Sequence, residues 1–193
     1  FAQAETYVVA VDGTGDFQTL TEAAAASSTG DTILLRAGVY GDQETFPIVL
    51  DHAVTIEGED GAVLDSPRFK TMVSVTADGV TLRNIRFQVR KWGIVADVSR
   101  AMTVENCEFV LGDEECRTSS TAIWLRGMKE CAIRRCTFRQ VGICIAGDPL
   151  SDKSAGKTVL TGMCEAGEDP EYFSTHEIAD CTINGRPYYY FVG

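Results

Sequence analysis

Apolar and polar residues alternate along much of the chain, and the alternation breaks and restarts at recurring places. Four eight-residue segments align without gaps: residues 80–87 (VTLRNIRF), 102–109 (MTVENCEF), 131–138 (CAIRRCTF) and 176–183 (HEIADCTI). The apolar pattern falls on the first, third, sixth and eighth positions, so a period of two stops once and then resumes. A period of two marks a strand with one buried face, and a single break marks a tight bend between two short strands. Asn84, Asn106, Arg135 and Asp180 stand at that bend. Asn and Asp adopt the left-handed conformation readily, whereas Arg135 would be strained if all four bends were alike.

A shorter motif lies between successive copies: Gly93-Ile94-Val95-Ala96, Ala122-Ile123-Trp124-Leu125 and Gly142-Ile143-Cys144-Ile145. Each repeat therefore holds three short strands. The copies start 22, 29 and 45 residues apart; the first spacing suits one coil of a solenoid, and the longer ones imply inserted loops. The expected fold is all-β: a single-stranded right-handed parallel β-helix of roughly six coils, its hand following that of parallel crossovers.

Stacked coils put like on like. Leu82, Val104, Ile133 and Ile178 form one expected inward column, Ile85, Cys107, Cys136 and Cys181 a second, and Phe87, Phe109, Phe138 and Ile183 a third. His176 shares a column with Val80, Met102 and Cys131, which makes it a satisfied edge-of-core residue rather than a metal ligand. Outward, Arg83, Glu105 and Arg134 alternate in sign, and Arg86 lies beside Glu108, as a cross-strand charge ladder would have it.

Further strands are expected at 7–11, 32–35, 48–50, 54–57 and 72–75. Thr19 and Glu22 have the spacing of a capping box ahead of an alanine run that Gly30 ends, so a short helix caps the first coil. The expected organisation is one domain over 1–193, with a capping region over about 1–30 and coils over about 31–193. Insertions interrupt the coils near 112–120, 148–157 and 164–175.

Composition narrows the function classes. Seventeen Lys and Arg against 28 Asp and Glu give a net charge of −11, which disfavours nucleic acid as a partner. Apolar runs are too short to span a bilayer, so no membrane insertion is expected. The charge is uneven: residues 83–139 carry 11 basic and 7 acidic residues, and the rest carries 6 and 21. A basic middle can hold an acidic glycan or merely balance the acidic flanks. Seven cysteines cannot all pair; three fall in one inward column, first as a buried thiol ladder and alternatively with a disulfide between neighbouring rungs, while Cys116 and Cys164 are better placed for a bridge. The acidic runs at 113–115 and at Glu165, Glu168, Asp169 and Glu171 offer oxygen ligands for calcium. They lack the spacing of a known calcium loop, and a solvated surface is the simpler expectation. No other cofactor and no metal site is expected.

Residues 8–23 (VVAVDGTGDFQTLTEA), with Gly38-Val39-Tyr40, resemble the opening of pectin methylesterases and the wider pectin-lyase-like superfamily. Residues 45–50 (TFPIVL) and 54–59 (VTIEGE) are similar to a domain of unknown function found in secreted bacterial and archaeal β-helix proteins. Residues 183–190 (INGRPYYY) resemble a segment of the periplasmic β-helix family that includes a copper-processing accessory protein. These resemblances imply a right-handed β-helix with an N-terminal helical cap. The segments that supply the pectin methylesterase oxyanion donor and carboxylates have no counterpart here.

Candidate chemistry therefore rests on the outer face of the short motif. If Ile94, Ile123 and Ile143 point inward, then Val95, Trp124 and Cys144 point outward, and so do Asp97 and Arg126. An exposed indole can stack on a sugar ring, so Trp124, with Lys91 and Arg90, is the candidate binding set, and Asp97 and Arg126 are the candidate catalytic pair. The competing reading has Trp124 covered by a long loop and Asp97–Arg126 as one more cross-rung ion pair. The leading expectation is a module that binds polysaccharide or a cell-envelope glycan without recognisable catalytic residues. A polysaccharide lyase or hydrolase on the same face is the alternative, and a structural or assembly module is a third. An extracellular, cell-surface or periplasmic location is expected, the start at Phe1-Ala2-Gln3-Ala4 suiting a processed export product.

Overall fold

The computed structural model describes residues 3–67, 69–113, 115, 120–147 and 169–190. Strand β1 (Thr6–Val9) and helix α1 (Leu20–Ala26) open the chain. Thr19 is the N-cap, its hydroxyl accepting from Glu22 N–H at 3.2 Å and donating to the Glu22 carboxylate at 2.9 Å. Glu44 completes the cap from 24 residues away, accepting the backbone N–H of Leu20 and of Thr21.

Five complete three-strand coils follow. The first is β2 (Thr32–Leu35), β3 (Gly38–Tyr40) and β4 (Ile48–Leu50); the second is β5 (Thr55–Gly58), β6 (Ala62–Asp65) and β7 (Thr71–Val75). The third is β8 (Thr81–Arg83), β9 (Arg86–Val89) and β10 (Trp92–Asp97). The fourth is β11 (Thr103–Glu105), β12 (Glu108–Leu111) and β13 (Thr121–Arg126). The fifth is β14 (Ala132–Arg134), β15 (Thr137–Arg139) and β16 (Ile143–Ala146). Helix α2 (Glu171–Ser174), then β17 (Glu177–Ala179), β18 (Thr182–Ile183) and β19 (Arg186–Pro187), close the chain, β19 turning back antiparallel on β18. The count is thus five full coils with a partial one at each end, against the six expected.

Every other named pairing is parallel, and the strands stack into sheets of seven, five and seven. The fold is an all-β parallel β-helix. Strands β3 and β6, of three and four residues, are not evident from the alternation.

The expected inward columns are present. Leu82, Val104, Ile133 and Ile178 are in register, and Phe87, Phe109 and Phe138 stack face to face at 4.6 and 5.2 Å. Cys107, Cys136 and Cys181 are buried free thiols, each donating to a carbonyl of the preceding coil: Leu82, Val104 and Ile133 respectively. Burial pushes the Cys131 thiol in the neighbouring column up to about 12. His176 is 6% exposed and saturated: Nε2–H donates to Tyr172 O and Nδ1 accepts from Cys131 N–H.

All four bends adopt one conformation, with φ of 60° at Asn84, 52° at Asn106, 53° at Arg135 and 54° at Asp180. Arg135 therefore takes the left-handed backbone that its side chain disfavours. Its guanidinium reaches Glu105 and Asn106 in the coil below. The charge ladder is paired differently from expectation: Arg83 bonds Glu57 at 2.7 Å, and Arg134 bonds Glu177. Arg86 does meet Glu108, at 3.2 Å.

Cys116 and Cys164, the insertion at 148–157 and most of those at 112–120 and 164–175 lie outside the described residues. Among the described residues no helix is long and apolar enough to cross a membrane.

Candidate functional site

The five-stranded sheet carries the candidate face. Register puts Ile48, Val73, Ile94, Ile123 and Ile143 in one inward column, and Val49, Ser74, Val95, Trp124 and Cys144 in the outward column beside it. Trp124 is half-buried and Val95 is only 6% exposed, so the face is partly covered rather than bare.

A second tryptophan joins Trp124. Alternation breaks within β7, β10 and β13, where Met72 and Val73, Gly93 and Ile94, and Ala122 and Ile123 are consecutive buried residues. The break returns Trp92 to the outer face, where its ring centroid lies 5.8 Å from that of Trp124 at a tilt of 47°. Gly93 makes this packing feasible, since a Cβ there would sit 2.4 Å from Ala122 O. Trp92 precedes the aligned four-residue motif, so the motif does not mark it. The signal that would have revealed it is the shared parity of Thr71, Trp92 and Thr121, which occupy one register position.

Cations lie over both indoles: Lys91 Nζ is 5.0 Å from the Trp92 ring and Arg126 Cζ is 5.0 Å from the Trp124 ring. Such contacts stabilise by roughly 0.5–1 kcal/mol when exposed. Arg126 also bonds Asp97 on the adjacent strand at 2.5 Å, with 31% and 23% of the two side chains exposed. The sequence-predicted pair is thus a cross-rung ion pair, one edge of which abuts Trp124. Three buried polar atoms here have no hydrogen-bond partner: Trp124 Nε1, Arg126 Nε and Asp97 Oδ1. Two are donors and one is an acceptor.

Arg90 is elsewhere. It bonds Asp65 and donates to Ser66 O at 3.0 Å, lining a cleft of about 410 Å³ with Tyr40, Asp42 and Glu44. Three further basic residues of the central belt are also paired. Arg100 meets Glu130 at 2.6 Å, Arg139 meets Glu108 at 3.1 Å, and Lys129 holds Asp169 at 2.6 Å and Glu171 at 2.7 Å. Asp169 and Glu171, two of the oxygen donors considered for calcium, therefore clasp an ammonium group. Hydrogen bonding to that ammonium holds the Asp169 carboxyl below the usual carboxylate range.

A family model described as a protein of unknown function (DUF1565) matches residues 10–182. Comparison with curated proteins and comparison with solved structures each gave no match.

Proposed function

The chain belongs to the DUF1565 family, and we propose that it is a polysaccharide-binding module whose site is the Trp92–Trp124 face of the five-stranded sheet. The observation that carries the reading is the grouping of two adjacent indoles on one outer sheet face, each with a cation over its ring. Indole surface supplies the apolar contact for the sugar's C–H face.

Charge has a smaller part in this reading than the basic belt suggests, because Arg90, Arg100, Arg126, Lys129 and Arg139 are held by carboxylates. Lys91, over Trp92, is the cation best placed to meet an acidic sugar. A cell-envelope glycan is the natural partner, and an extracellular, cell-surface or periplasmic setting goes with it.

Affinity electrophoresis through gels cast with a panel of neutral and acidic polysaccharides tests the reading. At least one polysaccharide should retard the chain, and Trp124→Ala should abolish the retardation. Retardation unchanged in Trp124→Ala would refute the site.

A further inference from the structure

A second constellation lies at the other end of the same sheet. Ser27, the C-cap of α1, places Oγ 2.9 Å from His52 Nε2, and His52 Nδ1 lies 2.9 Å from Asp51 Oδ1. Hydrogen bonding from His52 holds the Asp51 carboxyl below its ordinary range, so Asp51 is an anion at neutral pH. An anion at Nδ1 fixes the proton there and leaves Nε2 as an acceptor facing the serine. Nucleophile, base and orienting group are thus in hydrogen-bonding sequence.

The three residues line a cleft of about 560 Å³ whose other walls include Ala24, Ala25, Pro47 and Val49. These small apolar walls suit a short acyl group. The same cleft wall carries a backbone donor. Thr76 N donates to Leu50 O, so Leu50 faces β7, and in a parallel ladder the preceding residue faces away. Val49 N–H is therefore directed to the open edge of β4, the edge strand of its sheet, against which α1 packs.

We propose that Ser27, His52 and Asp51 form a hydrolytic relay that cleaves short-chain carboxylic esters in the cleft between α1 and β4. Ser27 Oγ bonds to the ester carbonyl carbon as its proton passes to His52 Nε2, and Val49 N–H donates to the carbonyl oxygen as it becomes an anion. The C–O bond to the alcohol then breaks, and the departing oxygen takes the proton from His52. Water adds to the acyl-serine with its proton going to His52, and the acid leaves as that proton returns to Ser27. One ester and one water give one acid and one alcohol. The carbonyl end of α1 favours the imidazolium formed on the way. Ser27 Oγ also lies 3.0 Å from Ala24 O, which competes for the serine proton. Asp51 is 72% exposed, so its contribution is small.

The inference stands independently of glycan binding. The chain is incubated with p-nitrophenyl acetate and, separately, with a fluorophosphonate probe followed by peptide mass spectrometry. The expected results are ester hydrolysis that drops about 100-fold in Ser27→Ala and covalent labelling of Ser27. Asp51→Asn should cost about tenfold or less. Hydrolysis unaltered in a folded Ser27→Ala variant would overturn the proposal, as would a wild-type chain in which the probe leaves Ser27 unlabelled.

Discussion

Trp92 and Trp124 come from adjacent coils and meet on one outer sheet face with ring centroids 5.8 Å apart. The contact depends on the glycine between Trp92 and Ile94, because a Cβ at position 93 would lie 2.4 Å from Ala122 O. Gly93→Ala should destabilise the fold by about 1–3 kcal/mol, the usual cost of overpacking, and should weaken glycan retention as much as Trp92→Ala does. Denaturant melts and affinity gels on the two variants check both outcomes. Arg90→Ala, in a different cleft, should leave retention unchanged.

Arg135 occupies a left-handed bend that three neighbouring coils fill with Asn or Asp. A left-handed backbone costs a residue with an ordinary side chain about 1–2 kcal/mol, less for Asn. The lost contact with Glu105 is half-exposed on the arginine side and contributes about 0–1 kcal/mol. Arg135→Asn should therefore raise stability by up to about 1 kcal/mol, read from the urea midpoint. A loss of stability would show that the contacts to Glu105 and Asn106 outweigh the backbone strain.

The cysteines of the core should be inert while the chain is folded. Hydrogen bonding with Cys107 and burial push the Cys136 thiol up to about 12, and burial does the same to Cys131. At pH 8 such a thiol is thiolate in roughly one molecule in ten thousand. Cys107, Cys131, Cys136 and Cys181 should resist a disulfide reagent until denaturant is added and then all react. Cys136→Ala should cost about 1–2 kcal/mol through the void it leaves.

His176 ties stability to pH. Burial lowers its pKa in the folded state by stripping water from the charged form, against a smaller opposite pull from Tyr172 O. The unfolded chain binds that proton near pH 6.5, the folded chain only at lower pH. Stability contributed by neutral His176 is thus complete above about pH 6.5 and is lost as pH falls below it. Urea melts between pH 7.5 and 5 should show a decline that His176→Gln lessens.

The eight-residue repeat carries its own geometry, which is why the bends, the cysteine column and the phenylalanine stack were legible in the sequence. Each is set by local alternation and repeated once per coil. Partners in the charge ladder were not, because a long arginine side chain has a choice of coil: Arg83 takes Glu57 below it rather than Glu105 above. Trp92 is not marked by the alternation, because the buried Gly93 shifts the parity of its strand. Ser27 and His52 are 25 residues apart and meet only because α1 folds back over β4, a contact that no periodicity encodes.

Both tryptophans of the chain stand on the proposed glycan face, so selectively excited tryptophan fluorescence, free of the emission of the six tyrosines, reports on that face alone. Acrylamide quenching of this fluorescence, measured with and without the polysaccharide that retards the chain most strongly in gels, is the most direct test. Bound glycan should shield the indoles and lower the quenching constant in a saturable way. A chain retained by polysaccharide whose quenching is unchanged at saturation would place the glycan elsewhere and contradict the account.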